Sequence, residues 1–524
     1  MARKIASRLR ITGKLVACGP LHVGGAGGNA DVDLALAENG QGKLYVPGTS
    51  LAGPLRAWLR QRVGDQEVNK VWGYQEQRPT EREPQGHASF VIVEDGLVKL
   101  PAGATVETRD GVGIDRVMGA AAEHVKYNRA VLPSGSEIEL EITVELKEKN
   151  DAARSHLIAA LQALQRGEIR FGAAKTRGLG QVTLKDLSVC EQDLLSFRGM
   201  LQTLRNKKDA LDLKNLSVQI LPGVPTLSIQ IDWSPRGPLM VKAERDGVAV
   251  DMLPLVSAKG GDLTFVLPGS SIKGALRSQA ERIVRTVHRV PAPQVVDSRK
   301  AFLKQIEVME REDKDDEEGD RSLIGALFGA AGKANKKDIK DEGPPLLGLS
   351  ALTVEDCYAQ PRFTPRHWDA IEAAADSDTT QALQLAGLTQ MQQAFHVAID
   401  RWTGGAADGF LYTVLEPHGV AWEPMRLTLD LSRLRKDDRP AAVMCLLLTL
   451  RDLVNGRIPL GFATNRGMGA IEVAGIEITT VNLEDELSDL NAVKIIDGKL
   501  GGWSERLKTS LESEWAKNGG GEAQ

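Results

Sequence analysis

Apolar residues alternate with polar ones near the start of the chain and again near its middle. RLRITGKLVAC at 8–18 and TLSIQIDW at 226–233 have the period-two pattern of a half-buried strand. Each is followed, after a Pro-Gly turn, by apolar residues at the spacing of one helical face. Those positions are Leu51, Leu55, Trp58, Leu59 and Val63 in the first case, and Ile272, Leu276, Ala280 and Ile283 in the second.

The same order of elements then continues in both places. ASFVIVED and SALTVED are predicted strands, as are SEIELEITVEL and MRLTLDL. A second helix is predicted at ARSHLIAALQALQRG and at AAVMCLLLTLRDLVNG, followed by a glycine loop and a last strand, QVTL or AIEV. The order strand, helix, strand, strand, helix, strand is typical of ferredoxin-like and RNA-recognition folds, so we expect the α+β class.

Short motifs recur in the same order in the two halves. VPGTSLAGPLR at 46–56 returns as LPGSSIKGALR at 267–277, and FGAAKTRGLG at 171–180 as LGFATNRGMG at 460–469. The offset between matched residues grows from 218 early in the chain to 289 near its end. One duplicated domain explains this pattern. We expect a first domain at 1–187, a helical linker at 188–224, a second domain at 225–480 and a helical extension at 481–524.

The net charge of the 524 residues is −5, which at first argues against a polyanionic partner. Nine acidic and two basic residues between 307 and 320, within an acidic insertion at about 307–342, account for this sign, because the remainder carries +2. No apolar run approaches the roughly 20 residues of a bilayer span. The first ten residues lack an apolar signal core and the four cysteines are scattered, so a cytoplasmic location is expected.

One aspartate is shared by the two copies in the loop before the Pro-Gly turn. Asp33 matches Asp251 at the offset of 218, whereas Asp31 and His22 match Ala249 and Met240. Loops between a strand and a helix often carry functional groups. An Asx-type turn or a helix cap would explain the same residue equally well.

The turns PGTS and PGSS each open a helix whose first amides lack intrahelical partners. A phosphate could bind there, helped by Arg56 in the first copy and by Lys273 and Arg277 in the second. The alternative is an N-cap by Thr49 or Ser50 and by Ser270 or Ser271.

The glycine loops KTRGLG and TNRGMG are candidate anion-binding turns. Their members are Lys175, Arg177, Gly178 and Gly180 in the first copy, and Arg466, Gly467 and Gly469 in the second. Tight turns with solvated arginines are the alternative. The repeated IDR tripeptides add Arg116 and Arg401, which could instead pair with the neighbouring Asp115 and Asp400.

No HExxH, GxSxG or metal-ligand spacing of His and Cys is present. Trp72 beside Gly73 matches Phe328 beside Gly329, and this pair is typical of packing.

The shared aspartate, the PG(T/S)SxxGxLR helix start, the WG or FG step, the IDR stretch and the late RGxG loop together resemble the RAMP superfamily of CRISPR-associated proteins. In particular, the chain resembles two fused copies of the backbone subunit of type III effector complexes, as in type III-D variants. The resemblance implies cytoplasmic RNA-binding domains that stack along a guide RNA, with hairpin thumbs at about 108–130 and 393–415.

The resemblance also implies chemistry. Asp33 and Asp251 match the aspartate that cleaves complementary target RNA with a divalent metal, for which Mg²⁺ is expected, so both are candidate catalytic residues and metal ligands. Implied partners are the guide RNA, the target RNA and the other effector subunits: further backbone subunits, a large polymerase- or cyclase-like subunit, small helical subunits and one that caps the guide 5′ end. No membrane partner is implied.

Two other functions are compatible with the sequence. The chain could be a structural backbone that binds guide RNA while other subunits cleave. A guide-processing ribonuclease would use histidine as a general acid or base, and His22 is the loop candidate for that role.

Overall fold

The described part of the chain forms two compact units. The first unit contains residues up to 107 together with 129–175 and 179–224, and the second contains 108–128, 176–178 and the chain from 225 onwards. A computed structural model describes residues 5–25, 32–75, 86–147, 152–205, 221–287, 289, 323–330, 349–483, 487–496, 498–502, 505 and 509.

The first copy has ten strands and three helices in its described residues. They are β1 (Ser7–Ala17), β2 (Tyr45–Val46), α1 (Gly48–Trp72), β3 (Tyr74–Gln75), β4 (Gly86–His87), β5 (Val91–Val93), β6 (Gly96–Lys99), β7 (Glu107–Ile114), β8 (Ala121–Val131), β9 (Glu137–Leu146), α2 (Ala152–Gln165), β10 (Val182–Asp193) and α3 (Phe197–Leu204).

The remainder of the described chain continues with the second copy and a short extension. Its elements are β11 (Thr226–Pro235), β12 (Val256–Lys259), β13 (Asp262–Leu267), α4 (Gly269–Val287), α5 (Leu323–Phe328), β14 (Leu352–Val354), β15 (Cys357–Tyr358), α6 (Pro365–Ala373), α7 (Asp376–Leu385), β16 (Met391–Ile399), β17 (Ala406–Pro417), β18 (Met425–Asp430), α8 (Arg439–Val454), β19 (Ile471–Val481), β20 (Lys494–Ile496) and β21 (Lys499–Gly501).

Each copy is built on an antiparallel sheet with the same strand order. In the first, β1 lies between β10 and β9, and β5 and β6 pair with the far edge of β9. In the second, β11 lies between β19 and β18, and β14 pairs with the far edge of β18. The mixture of helix and sheet confirms the predicted α+β class. The predicted duplication is therefore also present in the topology.

Alternating burial along the central strands explains why they pair in this register. In β11 the side chains of Leu227, Ile229, Ile231 and Trp233 are buried, and their neighbours face the other way. The strand β9 shows the same period from residue 138 to 146. A slip of one residue would turn the whole apolar set towards solvent, so the pattern fixes the register.

The two long helices of each copy cover one face of its sheet. Leu51, Leu55, Trp58 and Leu59 of α1 are buried with residues of α2, β1 and β9 in one apolar cluster, as the spacing predicts. The cluster of the second copy combines α4 and α8 with β11, β18 and β19. Ile272, Leu276 and Ala280 are buried as predicted, and Val284, not Ile283, completes the buried face of α4.

A two-stranded hairpin projects from each copy, and we call these the first and second hairpins. The first is formed by β7 and β8 and the second by β16 and β17, at the two positions expected for thumbs. Residues 108–128 of the first hairpin and the loop at 176–178 are part of the second unit. The sequence predicted that both segments belong to the first domain, at 1–187, whereas they group with the second unit.

The connecting segments differ from the helices that the sequence predicts. The strand β10 continues to Asp193, beyond the predicted start of the linker, and α3 follows it. Within 481–501 the structure shows a 3₁₀ turn at Ser488–Ala492 and the β20–β21 hairpin, because Leu490, Val493 and Leu500 pack into the second core. The acidic run at 307–320, residues 206–220 of the predicted 188–224 linker and most of the final predicted helix lie outside the described residues. No helix in the described residues combines the length and apolar character needed to cross a membrane.

Candidate functional site

The loop that carries Asp33 is attached to the base of the first hairpin. Leu34 forms a parallel bridge with Arg129, and the amide of Ala130 donates to the carbonyl of Leu34 over 3.0 Å. This backbone pairing fixes the residue next to Asp33, while the aspartate side chain itself is exposed. Asp33 is therefore presented at the surface by an ordered backbone.

The second copy repeats this arrangement residue for residue. Met252 bridges Val414, and the amide of Leu415 donates to the carbonyl of Met252 over 3.0 Å. Asp251 precedes Met252 as Asp33 precedes Leu34, and it is also exposed. The two aspartates thus occupy equivalent positions, although the preceding loops differ in sequence.

Asp251 has a contact that the sequence did not reveal. Its Oδ2 accepts a hydrogen bond of 2.7 Å from the amide of Thr413, and the Thr413 hydroxyl lies 3.0 Å from the same oxygen. That hydroxyl has one hydrogen, which can go either to Oδ2 or to the carbonyl of Ala249 at 2.9 Å, while it accepts from the Asp251 amide at 3.0 Å. This bond joins residues far apart in sequence, so at Asp251 it is neither the local Asx-type turn nor the helix cap considered as the alternative. The bond uses Oδ2 of Asp251 and leaves Oδ1 available. In the first copy, the position that matches Thr413 is occupied by Asn128.

The carboxylates beside the hairpins could bind a divalent cation only if that cation kept most of its water ligands. Among the described residues, no group of three or more His, Cys, Asp or Glu side chains converges on a point. Beside the hairpin base, the exposed carboxylates of interest are those of Asp33 in the first copy and Asp251 in the second. Mg²⁺ commonly keeps several waters and binds through one or two carboxylates plus substrate phosphates, so such a cation would need RNA to complete its shell.

His22 lies in the interior and not in an open site. Its side chain is buried, and Nδ1 donates to the carbonyl of Ala130 over 2.7 Å. Burial lowers the pKa of His22 below its usual value. The matching Met240 is also buried, so this position is a packing position in both copies. The geometry gives no support to His22 as a general acid or base.

The first amide of each long helix is capped by an aspartate from the repeated VED motif. The amide of Gly48 donates to Asp95 Oδ1 over 2.7 Å, and the amide of Gly269 donates to Asp356 Oδ1 over 2.8 Å. A carboxylate thus already occupies the place that a phosphate was expected to take. At α1 no side chain of the Pro47 cap position or of Thr49 or Ser50 forms the cap, so the predicted serine or threonine cap is wrong there.

The arginine of the repeated GxLR motif also acts within the fold. Arg56 donates from Nη2 to the carbonyl of Gly73 over 3.0 Å, and Arg277 donates from Nη1 to the carbonyl of Gly329 over 2.9 Å. Gly73 and Gly329 are the glycines of the WG and FG steps. The preceding Trp72 and Phe328 have buried rings, as expected for packing. These bonds tie the start of each helix to the segment after it, which explains both motifs without a phosphate.

The glycine loops of the two copies have the same backbone conformation. Gly180 and Gly469 have φ values of +86° and +81°, and a Cβ on either would stand 2.1 Å from a backbone carbonyl oxygen, that of Phe171 or of Leu460. Glycine at this position is therefore required by close packing. The exposed side chains of Arg177 and Arg466 are presented by these loops, and Arg466 packs against Tyr412 and Phe462.

The aspartate of each IDR motif forms the turn at the tip of its hairpin. Asp115 Oδ1 accepts from the amide of Val117 over 2.7 Å, and Asp400 Oδ1 accepts from the amide of Trp402 over 2.8 Å. The hydrogen bond from Trp402 lowers the pKa of Asp400 below its usual value. The IDR aspartates thus have a turn-forming role in both copies.

The two IDR arginines have different surroundings. Arg116 donates from Nε to Oε2 of the buried Glu281 over 2.6 Å, whereas Arg401 is exposed. Burial raises the pKa of Glu281, but the hydrogen bonds and charges of Arg116 and Arg277 outweigh it and hold that pKa below its usual range. Arg116 therefore has an intramolecular partner that the sequence did not indicate.

Lys273 is buried among backbone oxygens of the second unit. Its Nζ donates to Ser350 Oγ over 2.5 Å, to the carbonyl of Leu352 over 2.6 Å and to the carbonyl of Thr176 over 3.2 Å. Burial, with the nearby charges of Arg177, Arg277 and Arg433, lowers the pKa of Lys273 to about 6. The amine has no donor left for a phosphate.

Replacement of Gly180 by alanine tests the close packing of the glycine loop. The methyl group would overlap the carbonyl of Phe171 in a left-handed backbone, so Gly180→Ala is expected to lower the free energy of unfolding by about 2 kcal/mol or more. Gly53→Ala, in α1 with open space around its Cβ position, is the matched control and is expected to be neutral or stabilising. Equal denaturation midpoints for the two variants would contradict the packing requirement.

The buried amine of Lys273 predicts a pH dependence of stability. Between about pH 6 and the ordinary lysine pKa of 10.5, the unfolded chain binds one more proton than the native state. Wild type should therefore gain stability relative to Lys273→Met as pH rises from 6 to 9, by at most about 1.4 kcal/mol per pH unit. Chemical denaturation at several pH values measures this, with the exposed Lys185→Met as control. A stability difference that does not change with pH would refute the lowered pKa.

Comparison with known proteins agrees with the duplicated geometry. The family model described as the RAMP superfamily matches the chain over residues 14–183 and again over 254–472, which is well over half of its length. No curated protein matches the chain. Each matched region contains the two long helices and the hairpin of its copy, while the central strand β11 of the second sheet precedes the second region. The chain therefore belongs to the RAMP superfamily of CRISPR-associated RNA-binding proteins and contains two RAMP domains.

Proposed function

We propose that this chain is a double backbone subunit of a type III CRISPR effector complex, of the type III-D kind, and that it cleaves complementary target RNA at Asp33 and Asp251. The observation that carries the proposal is the equivalent placement of the two aspartates. Each precedes a residue whose backbone pairs with the base of a hairpin, through the Leu34–Arg129 and Met252–Val414 bridges. A duplicated catalytic site requires this kind of equivalence.

The strand order supports a ferredoxin-like or RNA-recognition architecture for each domain. In both sheets the first strand, β1 or β11, lies between the fourth and the third, and the second strand lies beyond the third. The long helices follow the first and third of these strands. This is the arrangement expected for the βαββαβ unit.

Guide RNA is proposed to contact the parts of the candidate set that remain exposed. Arg177 and Arg466 project from the two glycine loops, and Thr49 and Ser270 are exposed at the starts of α1 and α4. Lys175 and Gly467 lie in the same loops, whereas Gly178, Gly180 and Gly469 are buried and shape the loops from within. Such contacts grip phosphates and ribose without reading bases, because base pairing between guide and target supplies the sequence specificity. Arg56, Lys273, Arg277 and Arg116 are better explained by their bonds within the protein.

The proposed cleavage uses the ribose next to the broken bond. A nucleotide displaced at the hairpin base would let its 2′-hydroxyl align with the adjacent phosphorus. The carboxylate of Asp33 or Asp251 then accepts the hydroxyl proton, the new O–P bond forms, and the 5′-oxygen of the next nucleotide leaves with a proton from water. A hydrated divalent cation bound by the same carboxylate and the phosphate would stabilise negative charge there.

Replacing each aspartate separately tests the proposal. In the assembled complex with a complementary RNA, Asp33→Asn and Asp251→Asn are each expected to abolish one cut and to leave the other, since the amide cannot take the proton. Asp246→Asn, in the same loop as Asp251 and ion-paired with Lys242, is the charge-matched control and should leave both cuts. Product lengths on a sequencing gel give the result, and chelation of divalent cations should suppress both cuts.

The same experiment separates cleavage from a purely structural function. If both variants assemble and cut like the unchanged chain, the subunit is a structural backbone and another subunit cleaves. Guide RNA content, measured by absorbance and gel shift, shows whether assembly is retained.

Thr413 supplies a second test because it contacts the carboxylate of Asp251 and not that of Asp33. Thr413→Val removes the hydroxyl that contacts Oδ2 but keeps the amide donor, so the cut assigned to Asp251 should slow by about fivefold, in line with one hydrogen bond of about 1 kcal/mol. The cut assigned to Asp33 should not change. Thr413→Ser keeps the hydroxyl and is the control. Slowing of both cuts, or of neither, would rule out Thr413 as a positioning residue.

A further inference from the structure

The loop that carries Asp251 is fastened to a helix as well as to the second hairpin. The amide of Val248 donates to the carbonyl of Glu372 over 2.8 Å, and Glu372 lies in the last turn of α6. The side chain of Val248 is 75% exposed, so the contact depends on main-chain atoms. The loop thus has an anchor that does not involve β17.

A tight turn connects this anchor to the aspartate. The amide of Gly247 donates to the carbonyl of Val250 over 2.8 Å, which closes the turn around Val248. Val250 is buried in the second core and directly precedes Asp251. A displacement of the loop tip would therefore be transmitted to Asp251 through a short and ordered stretch of backbone.

The end of α6 is suited to receive this amide. The last carbonyls of a helix have no partner within the helix, and the macrodipole places partial negative charge there. Val248 supplies a donor to one of these carbonyls, so the loop tip and the helix end satisfy each other. A Cβ on Gly247 would stand 3.2 Å from the same oxygen of Glu372, which shows how closely the two segments approach.

The apolar core of the second copy holds α6 in place. Trp368, in the middle of this helix, is 4% exposed. The centroid of its ring lies 5.4 Å from that of Phe363 and 6.0 Å from that of Phe265. Because these aromatic rings belong to the main apolar cluster, the carbonyl that receives Val248 is carried by a fixed element.

The next helix contacts the hairpin beside Asp251. Gln393 in β16 donates from Nε2 to Asp376 Oδ1 over 2.9 Å, and Asp376 is the first residue of α7. The strand β16 is one of the two strands of the second hairpin. We call α6 and α7 together the brace, because they are bonded both to the loop of Asp251 and to the neighbouring hairpin.

Among the described residues, the brace is present in the second copy only. The first copy joins its VED motif to its hairpin through residues 96–106, which contain β6, whereas the second copy uses residues 357–390, which contain β15, α6 and α7. The loop sequences also differ, with GGAGGNADVD at 24–33 and KAERDGVAVD at 242–251. The two aspartates therefore occupy equivalent positions, but only Asp251 has this additional support in the described part of the chain.

We propose that Val248 is a positioning residue for the cut assigned to Asp251, and that the brace sets the rate of this cut independently of the cut at Asp33. The inference rests on the proposed function and deepens it, because it makes the two cuts separately adjustable. A general base must lie within hydrogen-bond reach of the proton that it removes, and small displacements slow such reactions steeply. Loss of the anchor therefore acts on the rate of cleavage and not on the binding of target RNA.

Replacement of Val248 by proline removes the amide hydrogen, whereas replacement by alanine keeps it. In the assembled complex, with complementary RNA at saturating concentration, single-turnover rates of the two cuts are measured on the same molecules. We expect Val248→Pro to slow the Asp251 cut by about fivefold or more, the effect of one hydrogen bond, and to leave the Asp33 cut and the target affinity unchanged. Val248→Ala should cut like the unchanged chain.

Replacement of Gly247 by alanine is an independent and milder test, since proline also restricts the turn. The added methyl group would press against the carbonyl of Glu372 and widen the gap between the loop tip and α6. We expect Gly247→Ala to slow the Asp251 cut alone, by a smaller factor than Val248→Pro. Gly274→Ala, in α4 with open space around its Cβ position, is the matched control and should leave both cuts unchanged.

Three results would overturn the role of Val248. The Asp251 cut could keep its rate in both variants, or both cuts could slow equally, which would indicate a general loss of structure. A lower target affinity with an unchanged rate at saturation would make Val248 a binding contact. Asp251→Asn in the same series separates the two levels of the account. If it abolishes its cut while Val248→Pro has no effect, only the role of Val248 fails, and if it keeps that cut, the proposed function itself fails.

Discussion

The backbone pairing between the aspartate loop and the base of the hairpin is the constraint on which the proposed function depends. It joins Leu34 to Arg129 and Met252 to Val414, pairs that are far apart in sequence but equivalent in the two copies. Because main-chain atoms make the connection, the loop sequences could diverge while each aspartate kept its place. The resulting geometry presents an exposed carboxylate at the base of a projecting hairpin in each copy.

Much of the fold could be predicted from the sequence, and the reason is local periodicity. Alternation in β11 and the helical spacing in α1 are determined by which side chains enter the core, and the duplication showed which elements correspond. The site was less predictable because its contacts join distant residues. Nothing local indicates that Asp95 caps the helix at Gly48, or that Arg56 reaches the carbonyl of Gly73. The repeat marked these positions as shared, and several of them form bonds within the fold.

The differences between the copies are as informative as the similarities. Thr413 anchors Asp251, whereas Asn128 stands at that position in the first copy. Lys273 and Glu281 hold a hairpin and a loop of the same chain, and their counterparts Ala52 and Arg60 do not have the charges for this role. The duplicated domain thus keeps one pair of aspartates at equivalent positions while other matched positions have diverged in charge.

The central claim is that both copies hold one RNA strand in the same way. Cross-linking of the assembled complex, with the positions of protein–RNA cross-links mapped on both chain and guide, tests it most directly. The account predicts cross-links from matched positions of the two copies, including the glycine loops at Arg177 and Arg466, separated by a constant number of nucleotides. Cross-links from one copy alone, or matched positions with no regular spacing on the guide, would contradict it.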